Sequence, residues 1–379
     1  CKVGMITSEY NLVLHGKVHV PIEEWAACRG WSISKMTDCE AVLPLQDRLR
    51  PVETIVPERQ GVVPSEVFQS DVPIVVKGLT SGWPALGASD LEGMERYLSG
   101  FWIDRPVVAY VGASGINGRF FYDEHLTGFN FKGGSAPLAQ IFDRLKEQES
   151  DDDSLAIYVG STPVDTWLPG FRGANDIEIP AAEALVSFWL GNKTRISAHY
   201  DYPDNIACVV AGTRRFTLFP TEQIGNLYVG PVDKTPSGQA ISLVDFSSPN
   251  LERFPNFELA MEAGCQAVCE PGDAIYIPSL WWHHVESLSS FNMLVNYWWI
   301  PDVASRTSPA TALLHAMLTV RDLPARHRAG WKALFDHYVF DADSGVYEHI
   351  PESARGPLAP LDDVSSRRLL ADILNRLKK

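Results

Sequence analysis

The alternation of apolar and polar positions divides the chain into three stretches. Residues 48–102 are mixed: 71–78 read as a short strand closed by glycine, and Ser89, followed by Asp90-Leu91-Glu92, opens a helix that runs through Leu98 and is closed by Gly100. Residues 106–111 form another strand. A helix then starts at Ser135-Ala136-Pro137, sets Leu138, Ile141, Phe142 and Leu145 on one face, and runs out in an acidic loop at 148–153. From Leu155 to Trp299, short apolar or alternating runs (155–159, 185–190, 206–210, 215–219, 274–277, 293–299) are separated by Gly, Pro, Asn and Asp. That spacing predicts an all-β sandwich or barrel, not a doubly wound α/β sheet. After Pro301 the period becomes helical: 309–319, about 324–340, and 364–377 with Leu369, Leu370, Ile373, Leu374 and Leu377 in one stripe.

Composition narrows this. The 379 residues are 45% hydrophobic, enough for a large core, so disorder over the whole length is excluded. No uninterrupted apolar run approaches the ~20 residues of a membrane helix. The net charge of −15 argues against charge-driven binding of nucleic acid. The six cysteines, at 1, 28, 39, 208, 265 and 269, form no paired CxxC signature and read as reduced thiols of a cytoplasmic protein. The stretch to Lys35 has no basic segment followed by an apolar run, so it is not a signal peptide. We read residues 1–47 as an N-terminal extension outside the fold, 48–301 as the β domain, and 302–379 as a C-terminal helical region.

Two segments carry candidate chemistry. In Ile196-Ser197-Ala198-His199-Tyr200-Asp201, strand geometry projects His199 and Asp201 to one face, where an imidazole and a carboxylate can share an ion. In the second, a Pro271-Gly272-Asp273 turn leads into an apolar strand, then Pro278, Trp281, Trp282 and the pair His283-His284. One ligand from that pair completes a facial triad of two histidines and one carboxylate, which suits Fe(II) and leaves positions open.

These segments, with Arg214–Pro220, Asn226-Leu227-Tyr228, Glu252–Phe257 and Trp282–Ser287, resemble the Jumonji C (cupin-like) branch of Fe(II)- and 2-oxoglutarate-dependent oxygenases. The chain is most similar there to the bacterial cupin-like proteins related to the asparaginyl hydroxylase of hypoxia-inducible factor. The resemblance covers residues 72–300 and implies a double-stranded β-helix (a jelly roll) with flanking helices. It implies His199, Asp201 and His283 as the iron ligands. Strand alternation agrees that one histidine of the pair faces inward and leaves His284 as a polar outward residue. It implies 2-oxoglutarate as cosubstrate, with Arg214 on its far carboxylate where relatives often carry lysine, and Arg215 facing away. Asn205, Asn296 and Tyr158 match residues around the cosubstrate. Ile196 departs from the pattern, since the best-studied relatives have a threonine there that hydrogen-bonds the cosubstrate. Trp281, Trp282, Trp298 and Phe121 are candidates for shaping the pocket.

The implied activity is hydroxylation of a C–H bond of a protein, peptide or amino-acid-like substrate, with succinate and CO2 as coproducts. The C-terminal helices resemble a dimerisation element, so a homodimer is expected. Two other readings stay open from sequence: a cupin metal enzyme that uses no 2-oxo acid, and a non-catalytic sensor of a small acid. An outward Arg214 would favour the former.

Overall fold

Runs rich in Val, Ile, Phe, Tyr and Trp favour pleated, half-buried backbone, and strands dominate accordingly. The structure, a computed structural model, describes residues 11–14, 18–21, 48–88, 90–148, 154–179, 184–300 and 308–378, the first two by their backbone. The rest of the N-terminal stretch and the acidic loop 149–153 lie outside the described residues. In chain order the strands are β1 (Asn11–Leu14), β2 (Val18–Pro21), β3 (Arg50–Pro51), β4 (Glu53–Ile55), β5 (Ile74–Val76), β6 (Val107–Gly112), β7 (Arg119–Phe120) and β8 (Phe131–Ala136). They continue as β9 (Ala156–Pro163), β10 (Leu185–Gly191), β11 (Arg195–His199), β12 (Asp204–Ala211), β13 (Arg214–Phe219), β14 (Cys265–Cys269), β15 (Ala274–Ile277), β16 (Trp282–Ser287) and β17 (Asn292–Trp299).

β1 and β2 pair with each other. The remaining strands form a nine-stranded sheet, ordered β4-β5-β15-β12-β17-β10-β9-β6-β8, and a six-stranded sheet, ordered β3-β14-β13-β16-β11-β7. Strands of the region 195–299 alternate between the two sheets except at β13 and β14, which pair within the six-stranded one, and this is the winding of a jelly roll. The expected fold class is the one observed.

Strand alternation assigns the core. On β17, Met293, Val295, Tyr297 and Trp299 enter a cluster with the helices Leu91–Leu98 and Leu138–Gln148, while Leu294 faces the space between the sheets. β12 does the same, with Ile206, Cys208 and Val210 on one side and Ala207 and Val209 on the other. The helix Leu138–Gln148 buries the four residues its periodicity singles out: Leu138, Ile141, Phe142 and Leu145. In the helix Leu91–Leu98, Asp90 caps the N-terminus by accepting from Gly93 N–H at 2.6 Å. A helix at Phe257–Ala263 interrupts the β region and was not anticipated, although Phe257, Ala260 and Met261 have the buried spacing of one. Together with Trp282 and Phe219 it builds a third cluster.

Gly212 turns β12 into β13 at φ +70°, and a Cβ there would collide with the Phe291 carbonyl and the Asn292 side chain. The turn therefore fixes where Arg214 enters the second sheet.

Backbone contacts divide the chain into two units, residues 1–300 and 301–379. In the second, helices Pro309–Thr319, Ala325–Phe335 and Asp363–Leu377 bury no residue. The middle helix continues into one wider turn, Asp336–Phe340.

Candidate metal centre and its cavity

β11 and β16 are neighbours in the six-stranded sheet, and their register sets His199 opposite His283. The register slips between Ile196 and His199, so β11 carries a bulge immediately before the histidine. The two rings lie 4.4 Å apart between centroids. Asp201 sits just beyond the end of β11 rather than in it, so simple strand alternation does not place it. The backbone folds it back nonetheless: Leu280 N–H donates to the Asp201 carbonyl at 2.9 Å, and Ser279 Oγ donates to the Tyr202 carbonyl at 2.6 Å. Asp204 secures the same loop, accepting from Ser279 N–H and from the Tyr276 hydroxyl. Leu280 itself is held at φ +66°, a strained conformation for a leucine.

His283 Nε2 approaches Asp201 Oδ2 to 3.5 Å, and the donor atoms of His199, Asp201 and His283 all fall within 4.8 Å of one another. Each imidazole places Nδ1 3.0 Å from the carbonyl two residues earlier, Ser197 for one and Trp281 for the other. A carbonyl only accepts, so Nδ1 carries the hydrogen and Nε2 presents its lone pair to the centre. Burial, reinforced by His283, holds the His199 pKa down to about 4, so the ring is neutral. Burial pushes the Asp201 carboxyl up, but the close approach of the His283 and His199 rings outweighs this and holds it below the usual carboxylate range. Two imidazoles and one carboxylate, with their lone pairs converging, fit a divalent iron.

The centre opens into a cavity of about 450 Å³. Arg214, Asn205, Asn296, Tyr158 and Ile196 line it, together with His199, Asp201 and His283. Arg214 is 5% exposed, and among the described residues no acidic side chain pairs with it; its Nε has no hydrogen-bond partner. Burial lowers its pKa to about 10, with Tyr158 opposing. Arg215 faces the other way and pairs with Glu286 at 3.2 Å. A buried, unpaired guanidinium beside a triad calls for an anion, so the cavity fits a 2-oxo acid.

The two asparagines bond neither backbone nor an open site first. Asn296 Oδ1 accepts from Trp189 Nε1 at 2.7 Å, and Asn296 Nδ2 donates to Asn205 Oδ1 at 3.2 Å. Tyr158 stacks on Tyr110 and Trp189, and burial drives its phenol pKa up, so it is neutral.

Several expectations are corrected. His284 is not an outward polar residue: it is 5% exposed and packs on Phe246 at 4.6 Å, and burial holds its pKa down to about 3. Of the four aromatics taken to shape the pocket, Trp298 lines it, but Trp281, Trp282 and Phe121 do not. Trp282 points into the third cluster, Trp281 donates to the Asp71 carbonyl, and Phe121 lies under Arg119. Their places are taken by Phe120, Tyr110, Phe131, Trp189 and Phe216. Trp189 and Phe216 lie on strands legible in the sequence, where alternation alone would have turned them inward. Ser197, admitted by the bulge, has no such signal.

A family model described as a cupin-like domain matches residues 61–305. Lysine-specific demethylase JMJ31 of Arabidopsis thaliana is 33% identical over 171 residues, covering 45% of this chain and 29% of that protein. tRNA wybutosine-synthesizing protein 5 of Danio rerio is 35% identical over 101 residues, 27% of this chain and 28% of that protein. The bifunctional peptidase and (3S)-lysyl hydroxylase JMJD7 of Homo sapiens is 24% identical over 253 residues, 60% of this chain and 77% of its own. The matches to the first two thus span less than a third of those proteins. The matched stretch contains β5 to β17 and all three clustered donors, and the chain belongs to the cupin-like family, in the Jumonji C branch of Fe(II)- and 2-oxoglutarate-dependent oxygenases.

Proposed function

We propose that the protein is an Fe(II)- and 2-oxoglutarate-dependent oxygenase that hydroxylates a C–H bond of a protein, peptide or amino-acid-like substrate. The observation that carries this is the unpaired, buried Arg214 in the same cavity as His199, Asp201 and His283. An inward Arg214 speaks for the oxygenase over a cupin enzyme that uses no 2-oxo acid. The bound iron and cosubstrate supply the oxidation: O2 converts 2-oxoglutarate to succinate and CO2, and one oxygen atom enters the substrate C–H bond. His199, Asp201 and His283 hold the metal. Arg214 receives the far carboxylate, and its fork makes up for the hydroxyl missing at Ile196. Asn205, fixed through Asn296 by Trp189, offers its amide hydrogens to the cosubstrate. Tyr158, a neutral phenol, donates beside Arg214. The aromatic walls keep water out.

Two of the relatives are named for action on lysine and a third for a modification of tRNA. A net charge of −15 sets this chain against a polyanion, so we assign it a protein or peptide. Kinship with the asparaginyl hydroxylase group, a catalytic domain at 48–301 preceded by an extension at 1–47, and a homodimer formed through 302–379 complete the proposal. Exposed Leu313, Leu314, Leu318 and Phe340 support the dimer. Free Cys208, Cys265 and Cys269 support a cytoplasmic location, and no helix of the described residues is long and apolar enough to cross a membrane.

The test is CO2 release from carboxyl-labelled 2-oxoglutarate in the presence of Fe(II) and O2. Release that disappears in His199→Ala and Arg214→Ala is expected. Release unchanged in both variants would contradict the proposal.

A further inference from the structure

We infer that the group hydroxylated in this cavity is an uncharged apolar side chain of a protein or peptide, and neither an ammonium nor a carboxylate. The inference rests on the oxygenase reading above and names its substrate class.

The cavity lining contains two permanently charged side chains, Asp201 and Arg214. The two imidazoles in the lining are placed to hold the metal. A divalent metal and the Arg214 cation are together balanced by Asp201 and a dianionic cosubstrate, so the loaded cavity has no charge left over. Apart from the hydroxyls of Ser161, Ser197 and Ser237 and the residues already given to the cosubstrate, the rest of the lining is apolar or aromatic, with Tyr110, Phe120, Phe131, Trp189, Leu294 and the half-exposed Val108 among it. The rings brace one another: Phe120 and Phe131 are 5.2 Å apart and Tyr110 and Phe131 5.5 Å. They form a preset wall.

An ammonium entering this space would lose its hydration, and the attraction of the ring faces repays only part of that loss where the lining holds no free carboxylate. A carboxylate would be drawn to Arg214 and compete with the cosubstrate for it. An aliphatic or aromatic side chain loses nothing on entry and gains by leaving water. A nucleobase is also neutral, but its phosphates would have to approach a chain of net charge −15.

The test loads the full chain with Fe(II) and 2-oxoglutarate without O2 and follows the visible band of the chelated 2-oxo acid. The probes are the N-acetyl amides of leucine, phenylalanine, lysine and aspartate, and the nucleoside uridine. Leucine and phenylalanine amides are expected to shift the band at concentrations at least 10-fold below those needed for lysine and aspartate amides or uridine. Phe131→Glu should weaken the leucine response at least 10-fold and strengthen that to lysine. A lysine, aspartate or uridine response equal to or stronger than leucine, no response to either neutral amide, or an unchanged preference in Phe131→Glu would overturn the inference. A band that is absent before any probe is added overturns the oxygenase reading itself, and so is read separately.

Discussion

His199 and His283 are oriented by the same local device, Nδ1–H donated to the carbonyl two residues earlier, while His284, one residue on, is turned into an apolar cluster. The pair therefore separates cleanly by mutation. His283→Ala should lose Fe(II) affinity by more than the ~10- to 100-fold typical of outer-sphere changes. His284→Leu should bind iron as the wild type does and melt no lower, because it removes a buried imidazole whose Nδ1 has no partner. Metal titration followed by calorimetry measures both. Arg214 behaves differently. Its pKa, lowered from 12.5 to about 10, corresponds to a burial cost of roughly 3 kcal/mol in the metal-free protein. Arg214→Met should thus leave the metal-free melting temperature equal or higher while weakening 2-oxoglutarate by about 30-fold or more. Binding calorimetry with Mn(II) in place of iron checks the second half.

At the level of elements, packing and turns set where these residues sit. Phe142 is fully buried between its helix and the nine-stranded sheet, so Phe142→Ala should cost roughly 3–5 kcal/mol of unfolding free energy in denaturant titration. Gly212→Ala forces a left-handed turn onto a side chain that meets the Phe291 carbonyl, and should cost at least ~1 kcal/mol. Much of this layer is readable from the chain. The runs at 185–190, 206–210, 274–277 and 293–299 became β10, β12, β15 and β17 within a residue or two, because buried strands have little choice of register once one face must be apolar. The triad was legible too, through the order of its motifs. The rest was not legible, for local reasons. β3 and β7 are two residues long and exist only through their neighbours. The bulge in β11 and the loop carrying Asp201 follow from backbone bonds between distant segments, which periodicity does not register. Phe120 faces the cavity in place of Phe121 because alternation fixes that one of the two turns inward but not which one.

On the scale of the whole molecule, the jelly roll concentrates its polar chemistry in one cavity, and the C-terminal unit carries exposed apolar side chains such as Leu318, at 81% exposure. A dimer through that unit predicts sedimentation as a two-chain species that Leu314→Glu with Leu318→Glu converts to a monomer; a single-chain wild type over the micromolar range would refute it. The same double variant should retain iron, since the triad lies wholly within the first unit. The central claim is that one cavity holds Fe(II) and a 2-oxo acid together. The most direct measurement is an anaerobic titration of the full chain with Fe(II) and then 2-oxoglutarate, watched in the visible range. A charge-transfer band that saturates at one equivalent of iron and vanishes in His199→Ala and His283→Ala is the predicted result. Stoichiometric iron binding with no band at any concentration of 2-oxoglutarate would contradict it.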